Sequence, residues 1–437
     1  MTPAARIQAA IDLLAEIEAL DAPADGLARG FFRKRRYIGS KDRRAVSDLV
    51  YGVLRSRARL DWWIARAAPA ATGVRGRTLA HLALDGRRSP EDLAALFDGD
   101  RYHPPALGPE ERALAAALRD CALDHPEQPD WVRGELPEWL LPKLGETLCD
   151  VLAAELVALA RQAPLDLRVN SLKADRAGAV AALAAEGIEA LPTPLSPLGL
   201  RVAGRHTLPG LRAFRDGLVE VQDEGSQLVA LLTDARPGLR VADFCAGAGG
   251  KTLALAAAMG DRGRLAALDT DARRLERAAP RLARAGATVA DPRTLEGAED
   301  PWLAEQAGAF DRVLVDAPCS GSGAWRRNPD ARWRLTPERL ETYVRVQGEI
   351  LTAAARLVAP GGRLVYATCS LLPEENGRQV ARFRAAHPDF APLPLAGVWA
   401  DTVGGACPAA GGELLLTPAR HGTDGFYLAV LERRAGP

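Results

Sequence analysis

From about residue 217 onward, the sequence alternates strand-like runs with helix-length segments. The runs that predict strands lie at residues 241–245, 264–269, 287–291, 312–317, 363–369, 413–417 and 426–431. Residues 271–285 and 337–357 are long enough to form helices between strands. This alternation predicts a doubly wound, Rossmann-like α/β sheet, which binds ligands at the carboxyl ends of its strands. The last two strands follow one another without a helix, which predicts an antiparallel hairpin at one edge.

Two further regions precede the predicted sheet. Residues 5 to about 140 are expected to be helical, because Ile7, Ile11, Leu14 and Ile17 recur at helix spacing. Short strand-like and helix-like runs broken by prolines follow at residues 165–202, which predicts a small α+β module. A chain of 437 residues is long enough for this division into an all-α domain at 1–140, a linker helix with the α+β module at 141–216, and the α/β domain at 217–437.

Composition narrows the class of protein. The 56 basic and 56 acidic side chains balance, which argues against a uniformly basic nucleic-acid binder but allows a local basic face. The six cysteines lack metal-ligand spacing, so we expect reduced thiols, no metal and a cytoplasmic protein. No apolar run is long enough to span a bilayer, and acidic residues interrupt the apolar positions near the N-terminus where a signal peptide would lie. We also expect a monomer.

A basic segment near the N-terminus is the candidate RNA contact. Residues 33–66 hold eleven Lys or Arg against three Asp, interleaved with Tyr37, Trp62 and Trp63. Such a segment suits phosphate contact and base stacking, and a solvated helix face with buried tryptophans is the alternative. In the α+β module, Arg168, Asn170 and Lys173 either face RNA or serve a structural role.

A glycine-rich loop after the first predicted strand of the sheet is the candidate cofactor site. It contains Cys245, Ala246, Gly247, Ala248, Gly249, Gly250 and Lys251. A phosphate-binding P-loop requires Gly where Cys245 stands, and a dinucleotide fingerprint requires Gly where Thr252 stands. The remaining candidate is S-adenosyl-L-methionine, which has no phosphates and needs a close backbone wall.

Carboxylates at successive strand ends support a ligand in this crevice. Asp269, Asp291 and Asp316 each end a predicted strand after the glycine loop. Asp269 lies where a carboxylate meets ribose hydroxyls in dinucleotide-binding folds. We therefore expect all three to line the cofactor site.

Two further strand ends each deliver a cysteine followed by a serine. Cys319 follows the run 312–317, and Cys369 ends the run 363–369. Two thiols placed this way predict a shared pocket and nucleophilic chemistry. Cys121, Cys149 and Cys407 have no such context, and we expect them to be inert and buried.

Together these motifs resemble the Nol/Nop/Sun family of RNA cytosine-5 methyltransferases. The resemblance covers roughly residues 160–435, and it rests on residues 243–252, 316–323, 327–330, 332–333, 368–370, 373–376 and 424–426. The helical region is similar to the NusB-like domain of the bacterial ribosomal RNA methyltransferase B branch. One departure is Ala248, where the family commonly has Pro.

The resemblance implies a reaction and a role for each thiol. It implies an S-adenosylmethionine-dependent enzyme that forms 5-methylcytosine in RNA, most simply in small-subunit ribosomal RNA. It makes Cys369 the nucleophile that adds to cytosine C6 and Cys319 the residue that assists release, whereas DNA methyltransferases of this chemistry use the Pro-Cys thiol as nucleophile. Asp316 would contact the cytosine edge or the methionine part of the cofactor. The arginines that follow the Pro-Cys loop are candidate RNA contacts, with pairing to acidic neighbours as the alternative for some of them: Arg326, Arg327, Arg332 and Arg334.

Three other functions compete with this one. The same chemistry could act on transfer RNA. The chain could also be a non-catalytic ribosome-assembly factor, which the paired cysteines disfavour, or a termination-factor-like RNA binder built on the helical region.

Overall fold

A computed structural model describes residues 1–204, 206, 208–409 and 411–435. The chain forms two compact units. The first comprises Met1–Gln162 with Trp325–Thr336, and the second comprises Ala163–Ala324 with Pro337–Pro437. Each unit is described by itself below.

The first unit is helical, as its apolar spacing predicts. Its helices before residue 163 are α1 (Pro3–Ala19), α2 (Ala24–Lys34), α3 (Ser40–Arg55), α4 (Arg57–Ala67), α5 (Gly73–Leu84), α6 (Pro90–Leu96), α7 (Pro109–Ala117), α8 (Asp130–Arg133), α9 (Leu141–Leu148) and α10 (Leu152–Ala160). Helix α1 begins after Thr2, whose hydroxyl accepts a hydrogen bond from the Ala5 N–H at 3.1 Å. Its buried face carries Ile7, Leu14 and Ile17 into one apolar core shared with α2–α7.

The segment 325–336 packs within this helical unit and contains a short helix, Ala331–Arg334. Arg332 is fully buried, and its guanidinium donates to the backbone carbonyls of Glu135 (2.7 Å) and Leu159 (3.1 Å). Arg326 is also buried, and Arg334 forms an ion pair with Asp330. The carbonyl contacts of Arg332 offset the cost of burying its charge, and they hold it inside the unit. The burial of Arg326 and Arg332 therefore does not support their predicted RNA contacts, and the Arg334–Asp330 pair fits the alternative of pairing with an acidic neighbour.

The second unit begins with a four-stranded antiparallel sheet. Its elements are β1 (Leu165–Val169), α11 (Arg176–Ala184), β2 (Ala190–Pro192), β3 (Gly199–Val202), α12 (Arg212–Arg215) and β4 (Val219–Val221), and the strand order is β2-β3-β1-β4. Strand β2 begins only at Ala190, because Gly187 takes a left-handed conformation (φ 76°) as the chain leaves α11. Strand β4 was assigned to the following domain from sequence, but it pairs with β1.

Within this module, the three predicted RNA-facing residues have structural roles. Arg168 is buried and donates to Gln222 at 2.6 Å. Asn170 is buried and donates to the carbonyls of Gly217 and Ala285, both at 2.9 Å. The Lys173 ammonium donates to two backbone carbonyls. The fold itself therefore engages all three side chains, although Arg168 keeps one buried nitrogen, Nη1, without a hydrogen-bond partner among the described residues.

The rest of the second unit is the predicted Rossmann-like sheet, which is confirmed. Its elements are α13 (Glu224–Leu232), β5 (Arg240–Asp243), α14 (Gly250–Ala258), β6 (Arg264–Asp269), α15 (Ala272–Ala285), β7 (Ala290–Thr294), α16 (Pro301–Glu305) and β8 (Phe310–Asp316); α17 is the helix Ala331–Arg334 of the first unit. They continue with α18 (Pro337–Leu357), β9 (Val358–Thr368), α19 (Gly377–Ala386), β10 (Phe390–Pro392), α20 (Leu395–Thr402), β11 (Glu413–Leu416), α21 (Pro418–His421) and β12 (Phe426–Arg433).

The order of strands creates the crevice that positions the site. Strands run β10-β12-β9-β8-β5-β6-β7, and β11 pairs with β12. From β9 to β7 the pairs are parallel, whereas β12 is antiparallel to β9, β10 and β11. The chain leaves β5 toward β6 and β7, then returns to β8 and β9 on the other side, so a switch point lies between β5 and β8. The predicted antiparallel pairing of the last two strands is confirmed, but the short helix α21 lies between them, where the sequence predicted none.

One strand lies in a different register from the prediction. The backbone N–H groups of Thr288 and Val289 donate to the Asp261 carboxylate, so β7 begins only at residue 290. Asp291 then pairs with Ala266, while Thr294 pairs with Asp269 at the carboxyl end. The prediction that Asp291 ends its strand is wrong.

Within the described ranges, no helix is both long and apolar enough to cross a lipid bilayer.

Candidate active site

The two cysteine loops lie side by side because β8 and β9 are parallel neighbours. Asp316 at the end of β8 is in register with Ala367 of β9, and the Ala317 N–H donates to the Ala367 carbonyl at 2.9 Å. Both loops therefore leave the same edge of the sheet. The Sγ atoms of Cys319 and Cys369 are 3.4 Å apart, and both residues are half-buried. The structure brings the two predicted thiols together.

A buried carboxylate ties these loops to each other. Glu375 is fully buried, and its Oε1 accepts hydrogen bonds from the Ser320 N–H (2.8 Å) and the Gln347 amide (3.0 Å). Its Oε2 accepts from the hydroxyls of Ser320 and Ser370, both at 2.5 Å. Ser320 and Ser370 each directly follow a cysteine. Glu375 therefore fixes the backbone beside both thiols.

Other polar contacts hold the Cys369 loop from the opposite side. Thr368 donates through its hydroxyl to Asn376 at 2.6 Å, and the Asn376 amide donates to the Ser370 carbonyl at 2.8 Å. Ser322 accepts from the Leu371 N–H at 2.8 Å. All of these side chains are buried, where satisfied networks are rigid and unsatisfied ones are costly. The thiols therefore stand on a preorganised base.

Sequence reasoning missed the role of this network. The Pro373-Glu374-Glu375-Asn376 run was noted for its family resemblance, but its partners were not foreseen. A serine after each cysteine was the visible signal, because two small hydroxyls on adjacent loops can share one acceptor. Gln347 lies on α18 and has no local sequence signal of its role.

The surroundings of Cys319 and Glu375 make both groups weaker acids. The hydrogen bond to Cys369 and burial raise the pKa of Cys319 well above the ordinary value for a thiol. Burial also raises the pKa of Glu375, against the lowering effect of its hydroxyl, amide and backbone donors. A thiol with a raised pKa keeps its proton at neutral pH, so Cys319 is poorly suited to attack as a thiolate.

The glycine loop between β5 and α14 is shaped by two left-handed residues, Gly247 (φ 56°) and Gly249 (φ 79°). A Cβ at Gly249 would lie 2.8 Å from the Cβ of Ala278, so this position excludes other residues. The Gly247 N–H donates to Asp269 at 2.8 Å, and Arg281 donates to the Ala248 carbonyl at 2.5 Å. Asp269 therefore holds the glycine loop through this hydrogen bond, and it also faces the crevice.

Lys251 and Asp316 form the charged corner of the site. The ammonium lies 2.5 Å from an Asp316 carboxylate oxygen and 5.5 Å from the centre of the Phe426 ring. Burial lowers the pKa of Lys251, but the charge and hydrogen bond of Asp316 outweigh burial and raise it. The Cys369 charge acts in the same direction, so Lys251 is a cation that a thiolate at Cys369 would meet.

Asp243 lies beneath the loop, at the end of β5. It is fully buried; one carboxylate oxygen accepts from the Thr252 hydroxyl at 2.7 Å, and the other has no partner among the described residues. Burial raises the pKa of Asp243 to about 6. The carboxylate is therefore poised to change protonation state just below neutral pH.

A cavity of about 320 Å³ adjoins these groups. Its wall includes three residues predicted to bind the cofactor: Cys245, Asp269 and Asp316. The two cysteines predicted to be catalytic, Cys319 and Cys369, also line it. Phe244, Leu295, Pro318 and Ile350 supply apolar walls. Asp291 is exposed and is absent from this wall, so its predicted cofactor contact is not supported. Residues 246–251 are also absent from the wall, and they shape the loop that carries Cys245.

The lining suits S-adenosyl-L-methionine. An adenine ring requires apolar walls, ribose hydroxyls require an acceptor such as Asp269, and a sulfonium is favoured by a carboxylate such as Asp316. Burial and the charges of Asp243 and Asp316 raise the pKa of Cys245, which keeps that thiol neutral as part of the wall. The residues present therefore fit this cofactor.

Comparison with known proteins decides the family. The family described as 16S rRNA methyltransferase RsmB/F matches residues 230–432, and an RsmF/B-like ferredoxin-like domain matches residues 136–208. The chain is 32% identical over 415 residues to the probable ribosomal RNA small subunit methyltransferase B of Synechocystis sp., covering 91% of this chain and 92% of that protein. The chain belongs to the RsmB/F methyltransferase family.

Further relatives agree with this assignment. The probable ribosomal RNA small subunit methyltransferase B of Bacillus subtilis is 29% identical, over 97% of this chain and 98% of its own. The solved structure of PH0851 has a TM-score of 0.78 and 26% identity, and the match covers 99% of each chain. The predicted Nol/Nop/Sun family, the enzyme class and the S-adenosyl-L-methionine cofactor are confirmed for this RsmB/F member.

In this RsmB/F chain, some cations of the basic segment at residues 33–66 form ion pairs within the helical unit, and others are exposed. Arg59 pairs with the buried Glu135 and Arg66 pairs with Glu127, so these cations serve the helical unit itself. Trp63 donates to the Leu123 carbonyl and packs against Trp62 and His125, which supports the structural alternative for the tryptophans. Exposed cations with no internal partner in the described part of the chain are Arg33, Lys34, Arg36 and Lys41.

The remaining cysteines differ from expectation in one respect. Cys149 is exposed rather than buried, whereas Cys121 and Cys407 are half-buried. Cys149 has a positive φ of 47° at the residue where α9 ends.

Proposed function

We propose that this RsmB/F methyltransferase forms 5-methylcytosine in small-subunit ribosomal RNA, with Cys369 as nucleophile and Cys319 as the residue that assists release. The observation that carries the proposal is the 3.4 Å separation of the two Sγ atoms beside a cavity suited to S-adenosyl-L-methionine. Methylation of a ribose hydroxyl or an exocyclic nitrogen needs no thiol, so a pair of thiols supports chemistry on a pyrimidine ring carbon.

The chemistry explains why two thiols are useful. Cytosine C5 is a weak nucleophile until a thiolate adds to C6, which forms a carbon–sulfur bond and makes C5 enamine-like. After C5 has gained a methyl group, a base must remove the C5 proton, and the C6–sulfur bond then breaks. The bound cofactor supplies the electrophilic methyl group. One thiol makes and breaks the covalent bond to C6, and a second thiol beside it can donate or accept the protons that release requires.

The surroundings support this division of roles. Lys251 is a buried cation whose charge interacts with Cys369. Cys319 has a raised pKa and remains a neutral thiol, so it can donate its proton to the departing Cys369 sulfur. The Cys319 thiolate that this leaves is a strong base and can accept the C5 proton, which restores the Cys319 thiol. Glu375 holds both loops so that the two sulfur atoms remain in contact.

The cofactor and the target base would approach from the crevice. Asp269 and the Cys245 backbone would hold the nucleoside part, and Asp316 with Lys251 would face the methionine part or the cytosine edge. The base must be accessible, in a single-stranded loop or flipped from a helix, because C6 is blocked inside a stacked duplex. The names of the relatives favour small-subunit ribosomal RNA as substrate, and we propose the same RNA here, in the cytoplasm.

The test uses the full chain, isotopically labelled S-adenosyl-L-methionine and deproteinised small-subunit RNA. We expect labelled 5-methylcytosine from the wild type at one mapped position. Transfer RNA serves as the parallel substrate. Label that appears in transfer RNA alone would overturn the ribosomal assignment, and label on nitrogen or ribose would overturn the C5 chemistry.

A further inference from the structure

A second cavity, of about 560 Å³, lies in the helical unit, away from the cysteine loops in sequence. It is lined by the first turns of α1, the residues that follow α2, and the loop at residues 101–103. Tyr37 and Tyr102 both line it. The proposed methyl transfer makes no use of this cavity.

The two tyrosines are the most exposed large apolar side chains in the described part of the chain. Tyr37 is 76% exposed and Tyr102 is 69% exposed, and the next is Leu191 at 61%. Exposed aromatic rings that share one cavity mark a binding surface, because isolated apolar residues at a surface are usually scattered. Aromatic rings of this kind are the platforms on which unstacked bases pack.

Tyr102 is presented by a fixed loop. It has a left-handed backbone conformation (φ 68°), which is uncommon for a residue with a side chain. The following residue, His103, is held by Asp98 through Nδ1 at 2.9 Å and by Thr2 through Nε2 at 2.9 Å. The ring is therefore directed outward by local structure at a cost in backbone strain, which is a pattern found at functional sites.

Charge around the cavity favours a nucleic acid over a protein segment. Arg101 lies over the Tyr102 ring at 4.9 Å, and Arg36 directly precedes Tyr37. Both arginines are exposed, and neither has an ion-pair partner among the described residues. Asp12 also lines the cavity, and its carboxylate provides an acceptor for an amino or imino group on a base edge.

We propose that this cavity, defined by Tyr37, Tyr102, Arg101 and Asp12, binds one unstacked base of single-stranded RNA. The base stacks on the tyrosine rings, Arg36 and Arg101 contact the neighbouring phosphates, and Asp12 accepts a hydrogen bond from the base edge. The proposal shares with the proposed function only its RNA partner. It adds a second contact, remote in sequence from the thiols, that contributes to RNA affinity and not to chemistry.

The test measures RNA binding directly, by fluorescence anisotropy of the full chain with a labelled single strand of about 12 nucleotides. We expect Tyr37→Ala and Tyr102→Ala each to weaken binding by about tenfold, and Tyr37→Phe and Tyr102→Phe to bind within about twofold of the wild type. Leu191→Ala is the matched control, because it removes a similarly exposed apolar side chain elsewhere, and we expect no change. The same oligonucleotide annealed to its complement should bind without sensitivity to the tyrosine changes.

Salt dependence separates stacking from phosphate contact. Arg36→Gln and Arg101→Gln should each lower the slope of log Kd against log salt by about 0.7, whereas the tyrosine variants should leave that slope unchanged. In methylation assays, the tyrosine variants should raise the KM for RNA and leave kcat unchanged.

Alanine variants that bind single-stranded RNA as the wild type does would overturn the proposal and would assign the surface to a protein partner. Phenylalanine variants that bind as weakly as alanine variants would overturn the stacking role. The binding assay does not require methyl transfer, so it tests this proposal separately from the proposed function. If the chain formed no 5-methylcytosine but its RNA affinity still depended on the tyrosines, only the proposed function would be contradicted.

Discussion

Glu375 offers the sharpest test of how the site is built. Replacement by alanine removes the acceptor shared by the Ser320 N–H, the Gln347 amide and the two serine hydroxyls. The hydroxyls can pair with each other, because Ser320 Oγ lies 3.2 Å from Ser370 Oγ. The Gln347 amide keeps the Pro318 carbonyl at 3.0 Å, so the Ser320 N–H is the donor left without a partner.

The expected cost follows from these contacts. A buried donor without a partner costs about 1–3 kcal/mol, and removal of the carboxylate leaves a cavity that adds a similar amount. We therefore expect Glu375→Ala to lower the free energy of unfolding by about 3–5 kcal/mol. Glu375→Gln keeps an oxygen for the N–H donors and offers its own amide to the hydroxyls, so it should cost only about 1–2 kcal/mol.

Urea unfolding at pH 7.5 measures this cost, and methylation kinetics measure its effect on the thiols. We expect Glu375→Ala to lower kcat by at least about tenfold with little change in the KM for RNA, because the loops that carry the thiols lose their common anchor. Glu374→Ala is the matched control, since the 3.7 Å ion pair of that neighbouring carboxylate with Arg378 is partly exposed and its loss should cost less than about 1 kcal/mol. Unchanged stability and kcat in Glu375→Ala would refute the anchoring role.

Three further outcomes follow from the site. Gly249→Ala should weaken S-adenosyl-L-methionine binding by about tenfold or more in calorimetry, because its Cβ would lie 2.8 Å from Ala278 in a left-handed conformation. Gly250→Ala is the control: the nearest atom to its Cβ would be the Arg281 guanidinium at 3.9 Å, so it should bind the cofactor within about twofold of the wild type. The fold raises the pKa of Asp243 to about 6, so the stability that the protonated carboxyl contributes is lost as pH rises from about 4 to 6. Asp243→Asn should therefore melt at a higher temperature than the wild type at pH 7.5 but not at pH 4.5. An equal difference in melting temperature at both pH values would contradict this assignment. A mild hydroperoxide should oxidise Cys319 and Cys369 to a disulfide with loss of two protons and two electrons, because their sulfur atoms are already 3.4 Å apart. Activity should fall on oxidation and return with dithiothreitol. Failure to find the Cys319–Cys369 linkage by peptide mass mapping would argue against that proximity.

The sheet and its site were largely predictable because local patterns determine them. The predicted bounds of β6 and α18 match the structure, since apolar runs with clear ends leave little choice of register. Cys319 and Cys369 could be placed together because parallel neighbouring strands end at one edge. The roles assigned to them still rest on the family resemblance.

Other features depend on contacts that the local sequence does not show. The register of β7 is set by Asp261, a residue outside the strand, so Asp291 could not be placed from its own neighbours. Arg332 follows the Pro-Cys loop in sequence but is buried in the helical unit, where it binds carbonyls of Glu135 and Leu159. Glu375 acts through serines that lie up to 55 residues away. Such long-range pairings follow from tertiary structure alone.

The central claim is that Cys369 makes the covalent bond and Cys319 helps to break it. The most direct measurement incubates Cys369→Ala, Cys319→Ala and the wild type with cofactor and small-subunit RNA, then resolves protein–RNA adducts on a denaturing gel. We predict a stable adduct for Cys319→Ala alone, and neither adduct nor 5-methylcytosine for Cys369→Ala. Wild-type methylation by Cys369→Ala, or an adduct that persists in it, would contradict the account.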